Sequence, residues 1–132
     1  MRIPRHLHTA IFLAFLISWT VALLSPVPEE SASKVLGDKD TIWIFGKGLH
    51  ISAYAWLAFL GVSCVGPRWQ GWMVAGLILH GITTEYFQDF VGRTGAVRDA
   101  LLDSIGVTIG TSIILLWQQY RGGCEVISSS PE

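Results

Sequence analysis

Apolar and charged positions along the chain fall into long alternating blocks. Between Arg5 and Glu29 run 23 residues without a charge, between Lys47 and Arg68 20, between Arg68 and Glu85 16, and between Asp103 and Arg121 17; together they hold 76 of the 132 residues. A helix needs about 20 mostly apolar residues to cross about 30 Å of hydrocarbon. The pattern therefore predicts an all-α fold, an up-and-down four-helix transmembrane bundle over residues 1–132, with helices over 7–25, 48–66, 69–89 and 99–120.

The first block also has the outline of a signal peptide, because Arg2 and Arg5 stand ahead of an apolar stretch. A small-residue cleavage site is poor, with Ser31 and Ser33 the one tolerable pair and several residues too far on, so the segment is expected to stay as a helix ended by Pro26 and Pro28. From Ser25 to Gly46 the chain reads as an outer loop, acidic at first and then apolar in TIWIF. There Trp43 and Phe45 suit headgroup depth in an interfacial turn or a short strand. GPRWQGW predicts a tight inner turn anchored by Trp69 and Trp72, and the tail after Arg121 reads as disordered. Cys64 and Cys124 fall on the same side with no structural disulfide expected; Cys124 reads as an ordinary thiol in preference to an acylated one.

Composition narrows the class further. The chain is 51% hydrophobic and 14% charged, with a mean hydropathy of +0.48, about half the charge of an average soluble domain. That excludes a disordered or nucleic-acid-coating chain, and a net charge of −1 leaves no basic excess for a phosphate backbone, so no nucleic-acid partner is expected. With both termini inside, the inner segments carry Arg2, Arg5, Arg68 and Arg121, and the outer ones Lys34, Lys39, Lys47, Arg93 and Arg98. The bare count runs slightly the other way. The N-terminal pair beside the first helix usually dominates, however, and Glu29, Glu30, Asp38 and Asp40 offset Lys34 and Lys39, so the expected placement is multi-pass with N-in and C-in.

Helices 3 and 4 are too short if they stop at their charges, since 16 or 17 residues reach only about 24 to 26 Å. Both must extend outward, which draws Glu85, Gln88, Asp99 and Asp103 into the bundle. Such groups are costly in lipid and normally face the protein interior or a wet cavity. Residues three, four and seven apart share one side of a helix, which gives three stripes: Lys47, His50 and Tyr54; Gly81, Glu85 and Gln88; and Asp99, Asp103, Gly106 and Gly110. In an up-and-down bundle all three occupy the outer half, and the loop DFVGRTGAVR adds Asp89, Arg93 and Arg98, with Gly92 and Gly95 letting it turn sharply.

Three readings fit that convergence. One is a structural ion-pair network in which Lys47, Arg93 and Arg98 balance Glu85, Asp89, Asp99 and Asp103. Another is a pocket for an anionic headgroup, with Lys47, Arg93, Arg98 and the start of helix 4 as donors. The third is chemistry, with His50, Glu85 or Asp99 as acid or base. No metal and no cofactor is expected: HExxH, CxxC and facial-triad spacings are lacking, and His80 lies about 140° round the helix from Glu85. His80 reads as a packed or interfacial residue, and His6 and His8 as headgroup-level ones. Gly106 and Gly110 form GxxxG, the mark of close helix packing, either within the chain or in a homo-oligomer.

Lys47-x-x-His50-x-x-x-Tyr54, then Gly81-x-x-x-Glu85-x-x-Gln88, Arg93-Thr94 and Asp99, followed by Gly106 and Gly110, resembles the VanZ-like family of small bacterial membrane proteins over about residues 47–110. The chain departs from that pattern at Asp103, where the family typically has asparagine. The family takes its name from a protein associated with teicoplanin resistance, and most members are of unknown function. The resemblance implies a protein of the bacterial inner membrane whose outer polar pocket engages membrane lipids or a lipid-linked cell-wall precursor. In that reading Lys47, His50, Arg93 and Arg98 face the anion, Glu85 and Asp99 orient them or serve as acid and base, and Tyr54, Gln88 and Asp103 line the site.

Overall fold

In the computed structural model, which describes residues 4–25, 39–91 and 97–128, the described chain is entirely helical. Four helices follow in order: α1 (Arg5–Leu24), α2 (Lys39–Cys64), α3 (Pro67–Gln88) and α4 (Val97–Ser128), with a 3-10 turn over Asp89–Val91 after α3. Pro26, Pro28, Gly92, Arg93 and Gly95 lie outside the described residues.

Three boundaries depart from the sequence reading. TIWIF is neither turn nor strand but the first part of α2, which begins at Lys39. Asp40 in the first turn complements the positive end of the helix, and Lys47 lies 5.4 Å over the ring of Trp43 one turn back, a local contact that favours helix. The turn in GPRWQGW is confined to Val65 and Gly66, because Pro67 opens α3, a position where its missing N–H costs nothing. Trp69 and Trp72 thus sit on α3, both exposed. Finally, α4 does not stop at Arg121 but continues to Ser128. Gly122 and Gly123 weaken a helix without breaking it, and the next proline is Pro131.

Paired contacts fix the relative directions. Lys47 meets Asp99, His50 meets Asp103 and Phe59 stacks on Trp117, so α2 and α4 run side by side in the same sense. Tyr54 meets His80 and Thr84, while Gly61 lies against Phe12 and Met73, so α1 and α3 run against them. α2 and α3 form the middle of the bundle, with α1 packed on one side of them and α4 on the other. Leu57, Ala58, Val62 and Val107 are fully buried at the centre, joined by Phe12, Leu60 and Leu77.

The closest approach is between α2 and α4. A Cβ placed on Gly110 would strike the Ala55 carbonyl and lie 3.0 Å from Ala55 Cα; one on Gly106 would strike the Ile51 carbonyl and lie 3.0 Å from Tyr54 Cβ. Of the two placements open to the GxxxG face, within the chain or in a homo-oligomer, the described residues show the first: Gly106 and Gly110 lie against α2. Small residues here let two backbones touch, where dispersion and Cα–H···O contacts accumulate.

Apolar side chains also point outward. On α4, Val97, Leu101, Ile105, Ile109 and Ile113 form an exposed row at four-residue spacing, and α1 exposes Ile11, Ile17 and Val21. Among the described residues two helices are long and apolar enough to cross a membrane, over His6–Leu24 and Val97–Arg121, with mean hydropathies of 2.0 and 1.7.

Candidate functional site

The polar stripes of α2, α3 and α4 meet at the end of the bundle where α2 and α4 begin and α3 finishes. His50, Glu85, Gln88 and Asp103 are all buried there, Asp103 to 1% exposure. His50 comes from α2, Glu85 and Gln88 from one face of α3, and Asp103 from the second turn of α4. His50 Nδ1 donates to Asp103 Oδ1 at 2.9 Å and stands 4.0 Å from Glu85 Oε1, so one imidazole is shared between carboxylates on two other helices. The ring of Trp19 on α1 closes the remaining side, edge-on to His50 at 5.9 Å.

Nearer the surface, Lys47 is ion-paired with Asp99. Its charge is thereby compensated inside the protein, which weakens its expected role as a free anion-facing group. Arg98 is exposed in the first turn of α4. Arg93 is outside the described residues, as is the side chain of Asp89. Of the predicted residues, then, His50, Tyr54, Glu85, Gln88 and Asp103 are brought together in the interior, and Lys47 and Asp99 form a pair beside them. Arg98 stands apart at the surface.

One turn deeper is a hydrogen-bonded row that the sequence does not announce. Tyr54, fully buried, reaches His80 Nδ1 at 3.0 Å, and His80 Nε2 reaches Thr20 Oγ1 at 2.9 Å. The directions close in only one way. Thr20 uses its single proton on the Leu16 carbonyl at 2.7 Å, so it must accept from His80 Nε2–H. His80 Nδ1 is then bare and accepts from the Tyr54 phenol. Thr84 in turn spends its proton on the carbonyls of His80 and Gly81. His80 is thus a linking residue, not merely a packed or interfacial one. Trp19, Thr20 and Thr84 are the residues sequence reasoning missed; the one available signal was the four-residue spacing of His80 and Thr84.

This row gives a direct expectation. Tyr54→Phe leaves the partly buried His80 nitrogen without its donor and should lower stability by about 1 kcal/mol. Thermal unfolding in detergent, with Phe59→Leu as a substitution outside the row, measures it.

An apolar groove of about 510 Å³ lies at the opposite part of the bundle, lined by Phe12, Leu16, Trp69, Met73 and Leu77, and touches the row only at His80.

Chemically, the cluster combines an imidazole held by a carboxylate, a second carboxylate within reach, and a phenol one turn below. It can hold a proton or a cation, and it can position a polar group inserted from the open end. No family model, curated protein or solved structure matches the chain.

Proposed function

We propose that the chain is a four-span, VanZ-like protein of the bacterial inner membrane, with both termini inside, that holds the polar head of a membrane lipid or lipid-linked cell-wall precursor at the outer end of its bundle. One observation carries this reading: buried ionisable and amide side chains from three helices gather at one level of a bundle whose outward side chains are apolar. In water such a surface is an association liability, whereas in lipid it is the ordinary exterior. Length supports the two less apolar spans as well. The 26 residues of α2 and 22 of α3 extend about 39 and 33 Å, enough for about 30 Å of hydrocarbon. Of the groups that lower their hydropathy, His50, Glu85 and Gln88 face inward.

In this reading Arg98 offers a cationic donor to the phosphate at the entrance, and the His50–Asp103–Glu85 cluster meets the next polar atoms of the head. Glu85→Gln and Arg98→Gln are expected to abolish retention of a radiolabelled isoprenoid phosphate by the purified protein while leaving membrane expression and thermal stability nearly unchanged. Turnover of that probe, as opposed to stoichiometric retention, would make the same cluster an acid–base site.

A second reading has its own support. Both Lys47–Asp99 and His50–Asp103 join α2 to α4 directly, as a network that only fastens helices would. Loss of folded protein in parallel with loss of retention in both variants decides for that reading and against the binding one.

A further inference from the structure

We propose that His50, Glu85 and Asp103 form a binding site for a divalent first-row metal ion. The site requires only this buried triad and holds whether or not a lipid head enters the bundle. Each residue offers one ligand atom, and the three atoms lie within 4.8 Å of one another. Metal–nitrogen and metal–oxygen bonds of about 2.0–2.2 Å set neighbouring ligand atoms roughly 3–3.5 Å apart. His50 Nδ1 and Asp103 Oδ1 are already close to that spacing at 2.9 Å, and Glu85 Oε1 stands 4.0 Å from the same nitrogen.

The second observation is independent of the cluster's own hydrogen bond. Asp103 is 1% exposed, yet its Oδ2 is buried without a hydrogen-bond partner among the described residues. That oxygen lies 3.1 Å from where a Cβ of Gly81 would be, and Gly81 is one turn before Glu85 on the same face of α3. Oδ2 therefore stands against the α3 backbone, on the helix face that carries Glu85 one turn further on. A buried carboxylate oxygen with no donor is unfavourable, and a cation that Asp103 holds through both oxygens would satisfy it.

A divalent ion held between the two carboxylates would leave the imidazole a neutral ligand. One imidazole and two carboxylates, with no thiolate, suit Zn²⁺ or Mn²⁺ and not Cu⁺. The absence of a motif in the sequence is accounted for, because each ligand comes from a different helix.

The test uses the full chain purified in detergent, stripped with chelator, then incubated separately with Zn²⁺ and Mn²⁺, gel-filtered and assayed for metal by mass spectrometry. The expected result is about one ion per chain for at least one of the two metals. Glu85→Gln and Asp103→Asn, which keep side-chain shape, should each weaken binding by more than about tenfold, and Gly76→Ala, outside the site, should not. The spectrum of the Co²⁺-loaded protein, with a ligand-field band that both shape-preserving variants lose while keeping their gel-filtration profile, separates a lost ligand from a lost fold. Metal below a tenth of an ion per chain for both ions, or equal metal in the wild type and both variants, overturns the proposal. Failure of isoprenoid-phosphate retention alone leaves these readouts unaffected and counts only against the lipid reading.

Discussion

Gly110→Ala is expected to leave little folded protein, and Gly106→Ala to come close behind. A methyl group on Gly110 collides with the carbonyl of Ala55, and one on Gly106 with the carbonyl of Ile51, so in both cases backbone, and not the tip of a flexible side chain, must give way. Overpacking costs about 1–3 kcal/mol where side chains can shift; separating two touching helix backbones places these at or above about 3 kcal/mol. Gly76→Ala is the matched comparison. Nothing lies within 4 Å of that position, so the substitution should change stability by less than about 1 kcal/mol, in the favourable direction that helix propensity sets. Gel-filtration homogeneity and thermal unfolding in one detergent read all three. Equal behaviour of Gly110→Ala and Gly76→Ala would mean that the α2–α4 contact is not as close as described.

The other large effect is expected at His50. Replacing it with alanine leaves Asp103 and Glu85 buried together without the group they share, and breaking a buried charged pair in this way costs about 3–5 kcal/mol. Asp103→Ala should cost less, because it removes one of the two carboxylates. The double variant should be more stable than the sum of the single effects allows, by about 1–3 kcal/mol, since the second substitution removes what the first left stranded. Strict additivity in an unfolding series would show that the 2.9 Å contact contributes nothing.

Much of this was legible before any coordinates because helical faces are local. Three-, four- and seven-residue spacing placed His50 with Tyr54, Glu85 with Gln88, and Asp103 with Gly106 and Gly110, and each of these residues is buried. Pairing between faces is not local. Nothing in the sequence distinguishes Lys47–Asp99 from Lys47–Glu85, and the GxxxG pattern is equally compatible with a neighbour in the same chain or in another. The contribution of α1 was illegible for a different reason: Trp19 and Thr20 sit in an uncharged run, where neither polarity nor spacing sets them apart. The start of α2 was misread because TIWIF is rich in β-branched and aromatic residues, whose intrinsic preference gave way to the helix that Asp40 and the Trp43–Lys47 contact favour. No metal-binding spacing shows along any one helix because His50, Glu85 and Asp103 come from three of them.

The distance along the chain between partners also bears on how the protein is made. His50 waits 53 residues for Asp103, and Thr20 waits 60 for His80. A nascent chain that has delivered only its first two helices therefore carries an imidazole and a phenol whose companions have not yet been synthesised. The amino-terminal half cannot settle before the carboxyl-terminal half arrives, so a version of the protein cut in the segment after α2 should accumulate only when both fragments are produced in the same cell.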